Sequence, residues 1–156
     1  MGRWKLPPKA KIYEALSAVA DGRVSRAGAN TAEVISSSGT KSYTVEWNDD
    51  VSAVTSNDNA SYWQGYLGYP ILAVLMHLGR LSYDSTIAGH LAGIPWKQIN
   101  KQFKNDYDKA LESVLSLLKE KEVNTQAIRD EADMIMSEIE QLPLGKLPRR
   151  KRPPKG

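Results

Sequence analysis

The stretch YTVEWNDDVSAVTSNDNASYWQGYLGYPILAVLM, residues 43–76, changes character halfway along and decides the fold class. Its first part alternates β-branched or aromatic residues with polar ones, which is the pattern of strands that bury one face. Its last part, 69–76, is apolar nearly all round and has a proline in the favoured first turn, which predicts a buried helix. A corner rich in glycine and aromatic residues, 57–70, joins the two parts.

The flanking sequence extends this pattern into an α+β fold. A helix is predicted over 9–20, because an apolar stripe at helical spacing is bounded by two prolines before it and by Asp21-Gly22 after it. Antiparallel strands are predicted at 31–37, 41–48, 51–57 and, as a short edge strand, 22–28. Further helices are predicted at 69–79, 82–93, 95–122 and 126–142.

The expected architecture is a single domain over 1–142. It starts with the N-terminal helix, continues with a three- or four-stranded antiparallel meander, and ends with four helices. Residues 22–80 form the sheet and its buried helix, and residues 82–142 form the helical part. The last two helices should pair as a hairpin, since their connector is short.

The composition and motifs argue against most enzyme classes. No cysteine is present among 156 residues, so disulfides, thiolate nucleophiles and sulfur-ligated zinc are excluded. His77 and His90 have no nearby carboxylate at a persuasive spacing, which is more typical of structural histidines. The chain also lacks the glycine-rich nucleotide motifs and the G-x-S-x-G nucleophile motif. We therefore expect a non-enzymatic protein without a metal or other cofactor, and a small hydrolase built on one histidine is the least favoured alternative.

The hydrophobic segments favour a soluble, cytoplasmic protein. The N-terminal MGRWKLPPKAK lacks the apolar core of a signal peptide. The longest apolar run, ILAVLM at 71–76, is much shorter than the ~20 residues that a membrane-spanning helix requires. No membrane association is expected.

The net charge of +3 is unevenly distributed along the chain. Residues 1–12 carry four cations and 143–156 carry six, with no acid in either segment. The segment 143–156 is expected to be a flexible basic tail, because its prolines prevent a helix and its charge prevents burial. Such a segment is suited to contacts with phosphate groups, and these cations are predicted to make them: Arg149, Arg150, Lys151, Arg152 and Lys155. We expect this tail to supply most of any nucleic-acid affinity, and its removal to leave the thermal stability nearly unchanged.

A second basic feature lies in the predicted helix 95–122. Lys97, Lys101 and Lys104 recur one turn apart on one face, where they could follow phosphates. The alternative is an ordinary solvated helix face, because Asp106 and Asp108 follow directly.

The aromatic corner has two possible interpretations, which rest on these residues: Tyr62, Trp63, Tyr66 and Tyr69. In the favoured interpretation the rings pack the turn between sheet and helix, and replacing Trp63 by alanine costs ~3–5 kcal/mol. In the other, the rings are an exposed platform for a base or a peptide.

Residues 43–76 also resemble the core of SWIM-type zinc domains, with a strand pair that begins Tyr-x-Val, a variable loop, and an ILAVL-like helix. In that family two ligand pairs flank the loop, and their positions fall here on Val54, Ser56, Gly68 and Pro70. None of these can bind zinc. The resemblance implies a fold kept without its metal and a role in binding DNA or protein. The whole chain is also similar to an uncharacterised family of small archaeal proteins, which implies no function.

These features predict a small binding protein that associates with DNA, RNA or a nucleic-acid-containing assembly through its basic ends. The alternative is a protein–protein adaptor that uses the acidic body or the aromatic corner 62–69. The sequence leaves open the choice between DNA and RNA, as well as the oligomeric state.

Overall fold

The computed structural model describes residues 3–148 and 151–154 and has the expected α+β architecture. Its helices are α1 (Lys9–Ala20), α2 (Tyr69–His77), α3 (Ser85–Gly89), α4 (Trp96–Gln102), α5 (Tyr107–Glu120) and α6 (Thr125–Gln141), with a π-helical turn at Ala60–Gln64. Its strands are β1 (Val24–Gly28), β2 (Thr31–Ile35), β3 (Ser42–Trp47), β4 (Ala53–Ser56) and β5 (Gly145–Lys146). The N-terminal helix has the predicted bounds.

The sheet has the order β1-β2-β3-β4-β5. Its first four strands form the predicted antiparallel meander, and β5 pairs with β4 in parallel. The added strand is held by backbone hydrogen bonds from Gly145 N to Ser52 O (2.8 Å) and from Leu147 N to Val54 O (2.9 Å). The folded part of the chain therefore continues beyond residue 142, into the segment 143–156 that was predicted to be a flexible tail.

The buried helix α2 lies at the centre of the molecule. Residues 70–76 are all buried, and the helix contacts both α1 and strands β1–β4, as an all-round apolar sequence predicts. A polar chain ties α1 to the helical half. Trp96 Nε1 donates to Ser17 Oγ (2.8 Å), and Ser17 Oγ donates to the carbonyl of Leu91 (2.6 Å).

The helix predicted over 95–122 is interrupted. Lys104 and Asn105 have φ angles of 53° and 63°, in the left-handed region that ends a right-handed helix. Asp106 is the N-cap of α5, and its carboxylate accepts a hydrogen bond from Lys109 N (3.2 Å). The chain thus changes direction directly after α4, and this turn shapes the site described below.

The last two helices are linked by a bidentate ion pair, in which Arg129 on α6 donates to both carboxylate oxygens of Glu112 on α5 (3.1 and 2.9 Å). A further ion pair joins α6 to α1, between Lys9 and Asp133 (3.0 Å). Within the described residues, every helix is too short or too polar to cross a bilayer.

Candidate functional site

A cleft of about 600 Å³ opens between α1, the β2–β3 turn and α4 with the turn that follows it. We call it the basic cleft. Its lining includes a single carboxylate, that of Glu14. The cations that line it are Lys11, Arg23, Lys41, Lys97, Lys101 and Lys104. Cationic side chains therefore dominate its charge.

The β2–β3 turn and α4 are docked directly on each other. Within the turn, Ser36 N donates to the carbonyl of Lys41 (2.8 Å), and Lys41 N donates to Ser36 Oγ (3.1 Å). Across the interface, Lys97 N donates to Ser37 Oγ (2.9 Å). These bonds hold Lys41 beside the first turn of α4, so that cations distant in sequence share one opening.

Four lysines form the rim of the basic cleft: Lys41, Lys97, Lys101 and Lys104. The last three are exposed, and none of the four has an ion-pair partner among the residues that the structure describes. Desolvation and the nearby ammonium groups of Lys41 and Lys101 lower the pKa of Lys97. The rim therefore concentrates like charges that a bound anion would offset.

The sequence predicted three of these lysines but not their geometry. Lys97 and Lys101 lie on α4, whereas Lys104 reaches the same cleft from the left-handed turn. Lys41 is missing from the prediction because no local pattern links a hairpin turn to a helix more than fifty residues later. Arg23 differs from the rim lysines because it already has partners within the protein. It forms an ion pair with Asp21 (3.1 Å) and donates to the carbonyl of Ile35 (2.7 Å).

The floor of the basic cleft contains buried polar groups. Lys11 Nζ lies 3.1 Å from Glu14 Oε2 and 3.9 Å from the ring centre of Tyr107. Burial lowers the pKa of Lys11, but the Glu14 carboxylate and two tyrosines more than offset this, so the net pKa is raised. Lys11 therefore stays protonated at neutral pH and compensates the Glu14 carboxylate beside it.

Asn100 is the unusual member of this floor. The residue is only 8% exposed, and its Oδ1 is buried without a hydrogen-bond partner among the described residues. Buried side-chain polar atoms nearly always have a partner, and one without a partner calls for a specific explanation. Nothing in the sequence around Asn100 distinguishes it from the flanking amides of α4.

The predicted aromatic corner divides into two separate environments. Tyr69 lines the basic cleft and packs edge-on against Tyr43, with ring centres 6.3 Å apart. Trp63 points elsewhere and is 65% exposed, with its ring edge-on to Tyr62 at 4.5 Å. The favoured expectation that Trp63 is buried packing is therefore wrong. The π-helical turn of 60–64 leaves this side chain on the surface.

Trp63 borders a second groove of about 390 Å³, which we call the tryptophan groove. It is lined by Trp4, Tyr62, Trp63 and Lys146 among others. Lys146 Nζ lies 4.9 Å from the ring centre of Trp4, and Trp4 Nε1 donates to the carbonyl of Gly145 (3.0 Å). The groove is therefore bordered by both the N-terminal segment and β5, which contact each other through Trp4.

A buried hydrogen-bond network holds the inner side of the corner. Asp58 accepts from Ser56 Oγ (2.5 Å) and from Ser61 N (3.0 Å), and Ser61 Oγ accepts from Gly68 N (3.0 Å). Ser56 and Gly68 are thus connected through Asp58 and Ser61. In the described part of the chain, no three His, Cys, Asp or Glu side chains are grouped to hold a metal ion.

The remaining predicted residues lie away from the basic cleft or outside the described structure. Lys151 and Arg152 are exposed, and the Arg152 carbonyl accepts from Asn57 Nδ2 (3.2 Å). Arg149, Arg150 and Lys155 lie outside the described residues.

His77 ends α2 and His90 follows α3, and both are exposed and absent from the cleft lining. Tyr66 is half-buried and bridges Lys5 of the N-terminal segment.

Comparison with known proteins identifies the chain by family. No curated protein and no solved structure matches it. One family model matches residues 4–145, from Trp4 to its hydrogen-bond partner Gly145, the first residue of β5. The chain belongs to the family described as "Uncharacterised conserved protein UCP014422".

Proposed function

We propose that the protein binds nucleic acid by holding backbone phosphates at the rim of the basic cleft, with the basic segment 149–155 adding contacts. The observation that carries the proposal is the group of four rim lysines without ion-pair partners among the described residues. Surface lysines scattered for solubility need not converge on one opening. Convergent cations, by contrast, match the closely spaced charges of a phosphate backbone.

The cleft adds a second binding surface to the expectation that the basic tail supplies most of the nucleic-acid affinity. The acidic body of the chain would repel phosphate if its charges were evenly spread. Among the described residues that line the cleft, however, Glu14 alone carries a carboxylate, and Lys11 compensates it. The body of the chain is acidic overall, but it carries a local basic surface at the cleft. A phosphate interacts mainly with charges within a Debye length, about 8–10 Å, so the local surface decides whether it binds.

Charge-removing variants test this proposal. We expect the double variant Lys97→Gln/Lys101→Gln to bind single-stranded RNA and DNA at least ~10-fold more weakly at low salt. The slope of log affinity against log salt should become shallower by about 0.7 for each phosphate that the variant no longer neutralises. The matched control is Lys119→Gln/Lys121→Gln, which removes two exposed lysines at the end of α5, away from the cleft rim. Fluorescence anisotropy titrations at several salt concentrations give both quantities.

The same titrations separate the cleft from the tail. Removal of residues 149–156 should weaken binding further in the background of the cleft variant, since the two surfaces contribute separate cations. Equal binding by the cleft variant and its control would refute a role for the cleft. Absence of binding by the unmodified chain at low salt would refute the function as a whole.

A second candidate function is favoured by the exposure of Trp63. A tryptophan that is 65% exposed beside a groove is typical of a contact surface for a protein partner. This supports the adaptor alternative, with the tryptophan groove as its surface. Affinity capture from native cells with the unmodified chain and with Trp63→Ala would test it, and partners captured equally by both proteins would argue against the groove.

A further inference from the structure

We propose that the basic cleft takes one unpaired base of a single-stranded nucleic acid, and that it prefers guanine. This inference rests on the proposed function and names the ligand of the same site. It follows from the difference in chemistry between the rim and the floor of the cleft.

The rim and the floor of the cleft suit opposite ends of one nucleotide. The rim is cationic, and its α4 lysines are exposed, as phosphate contacts require. The floor includes the side chains of Glu14 and Asn100, which are 4% and 8% exposed. A phosphate at the floor would bring its acceptor oxygens against the buried acceptor Oδ1 of Asn100, so the phosphate belongs at the rim and the base, which carries N–H donors, belongs inside.

The state of Asn100 indicates that the floor is incomplete without a ligand. Its Oδ1 is buried and accepts no hydrogen bond from any described residue. An amide can both donate and accept, and burying it without partners is costly. A ligand that exchanges hydrogen bonds with Asn100 would remove this cost, whereas a purely hydrophobic ligand would not.

The dimensions of the cleft fit a single base with its sugar. A volume of about 600 Å³ falls within the range of small-ligand sites, roughly 300–1,000 Å³. Tyrosine rings line its walls, namely Tyr43, Tyr69 and Tyr107, and such rings are the usual surfaces against which unstacked bases pack. A base within a duplex cannot enter, because its Watson–Crick edge is occupied. The strand must therefore be unpaired at this position.

Guanine offers the best match to a floor that contributes buried oxygen acceptors from Glu14 and Asn100. Its N1–H and N2–H₂ groups are adjacent donors, which the Glu14 carboxylate and the unpartnered Oδ1 of Asn100 can accept between them, and its O6 and N7 accept from the lysine ammonium groups of the cleft. Uracil presents a carbonyl on either side of its single N–H, so it offers the acceptor oxygens of the floor one donor where guanine offers two adjacent ones. Adenine and cytosine each offer one amino group, so they should bind between these extremes.

Nine-nucleotide uridine RNAs that carry guanine, adenine, cytosine or uracil at the central position provide the test. Because each RNA has the same phosphates, rim contacts contribute equally, and differences in affinity report the base alone. We expect the guanine RNA to bind about 10-fold more tightly than the all-uridine RNA, as one good bidentate contact allows. Anisotropy titration of the unmodified full chain measures this ratio without any substitution.

Asn100→Ala tests the floor directly. We expect this variant to bind the all-uridine RNA like the unmodified protein but to lose most of the preference for guanine. The matched control is Asn59→Ala, which removes an exposed amide from the same cleft and should keep the preference. A thermal melt of each variant verifies folding, and Asn100→Ser replaces the alanine variant if that melt is abnormal.

The outcomes separate this inference from the proposed function. Equal binding of all four RNAs by the unmodified protein would overturn base recognition while leaving phosphate binding intact. A guanine preference that survives in Asn100→Ala would overturn the role of the floor. If none of the RNAs binds at low salt, both proposals fail together.

Discussion

Trp63 and Trp96 occupy opposite environments and should respond oppositely to truncation. Trp96 is 2% exposed and donates to Ser17, so Trp96→Ala should cost about 3–5 kcal/mol through cavity formation. Trp63 is mostly exposed, and Trp63→Ala should cost less than about 1 kcal/mol. Urea denaturation followed by circular dichroism measures both. Similar losses for the two variants would contradict the structure at the corner.

Tyr13 makes the stability of the fold depend on alkaline pH. Its hydroxyl is buried without a partner among the described residues, and burial raises its pKa from the ordinary 10.0 to about 12. The folded state therefore favours the neutral phenol, so the stabilising contribution is complete below about pH 10 and is lost as pH rises through about 12. Burial also raises the pKa values of Tyr43, Tyr66 and Tyr69.

The variant Tyr13→Phe should lose less unfolding free energy than the unmodified protein between pH 10 and 12, because phenylalanine has no proton to release. At pH 7 the variant should be as stable as the unmodified protein or more stable by about 1 kcal/mol, since it removes a buried hydroxyl that lacks a partner. Urea denaturation at pH 7, 10 and 11 measures both effects. If Tyr13→Phe loses as much unfolding free energy at alkaline pH as the unmodified protein, the pH dependence belongs to the other tyrosines.

At the scale of elements, Gly68 shows how closely the corner approaches α2. A Cβ on Gly68 would collide with the Asp58 carboxylate and would lie 2.8 Å from Ser61 Oγ, so alanine would disrupt the network that holds the corner. We expect Gly68→Ala to cost at least about 1–3 kcal/mol, as overpacking usually does. Gly89→Ala is the control, since a Cβ there meets nothing within 4 Å and helical alanine should stabilise α3 slightly. Equal thermal melts for the two variants would contradict this account.

Local signals predicted some elements well because those signals were strong. Prolines and an Asp-Gly pair bound α1, and Asp84 caps α3, which is shorter than predicted. The break after α4 was missed because a lysine rarely adopts a left-handed conformation, so nothing local marks Lys104 as a terminator. The two-residue β5 was missed because it exists only through pairing with β4, which is distant in sequence.

The candidate site was predictable only where it lies on one element. Helical spacing identified Lys97 and Lys101 as neighbours on α4. Lys41 and Glu14 join them through tertiary contacts, which no periodicity encodes, and the unsatisfied Oδ1 of Asn100 is visible only in the packed structure. Trp63 was misassigned because aromatic density at a glycine-rich corner indicates packing in general but not which ring is left outside.

For the whole molecule, β5 changes what a C-terminal truncation should do. Deleting residues 149–156 removes neither strand pairing nor the bond from Trp4 to Gly145, so the melting temperature should change little. Deleting 143–156 removes both, and should cost about 2–3 kcal/mol at about 1 kcal/mol per hydrogen bond. For a chain of this size the expected loss is roughly 5–10 °C. Differential scanning calorimetry of the two truncated proteins checks the difference, and equal melts would place the end of the folded domain near residue 142 after all.

The late arrival of β5 also has a consequence during synthesis. Strand β4 lacks its neighbour until residues 145–147 leave the ribosome, roughly 90 residues after β4 itself, which takes about 5–18 s at 5–20 residues per second. Until then its N–H and C=O groups form an open edge, to which another strand could pair. Slow translation therefore prolongs the exposure of the nascent chain to its neighbours on the same polysome.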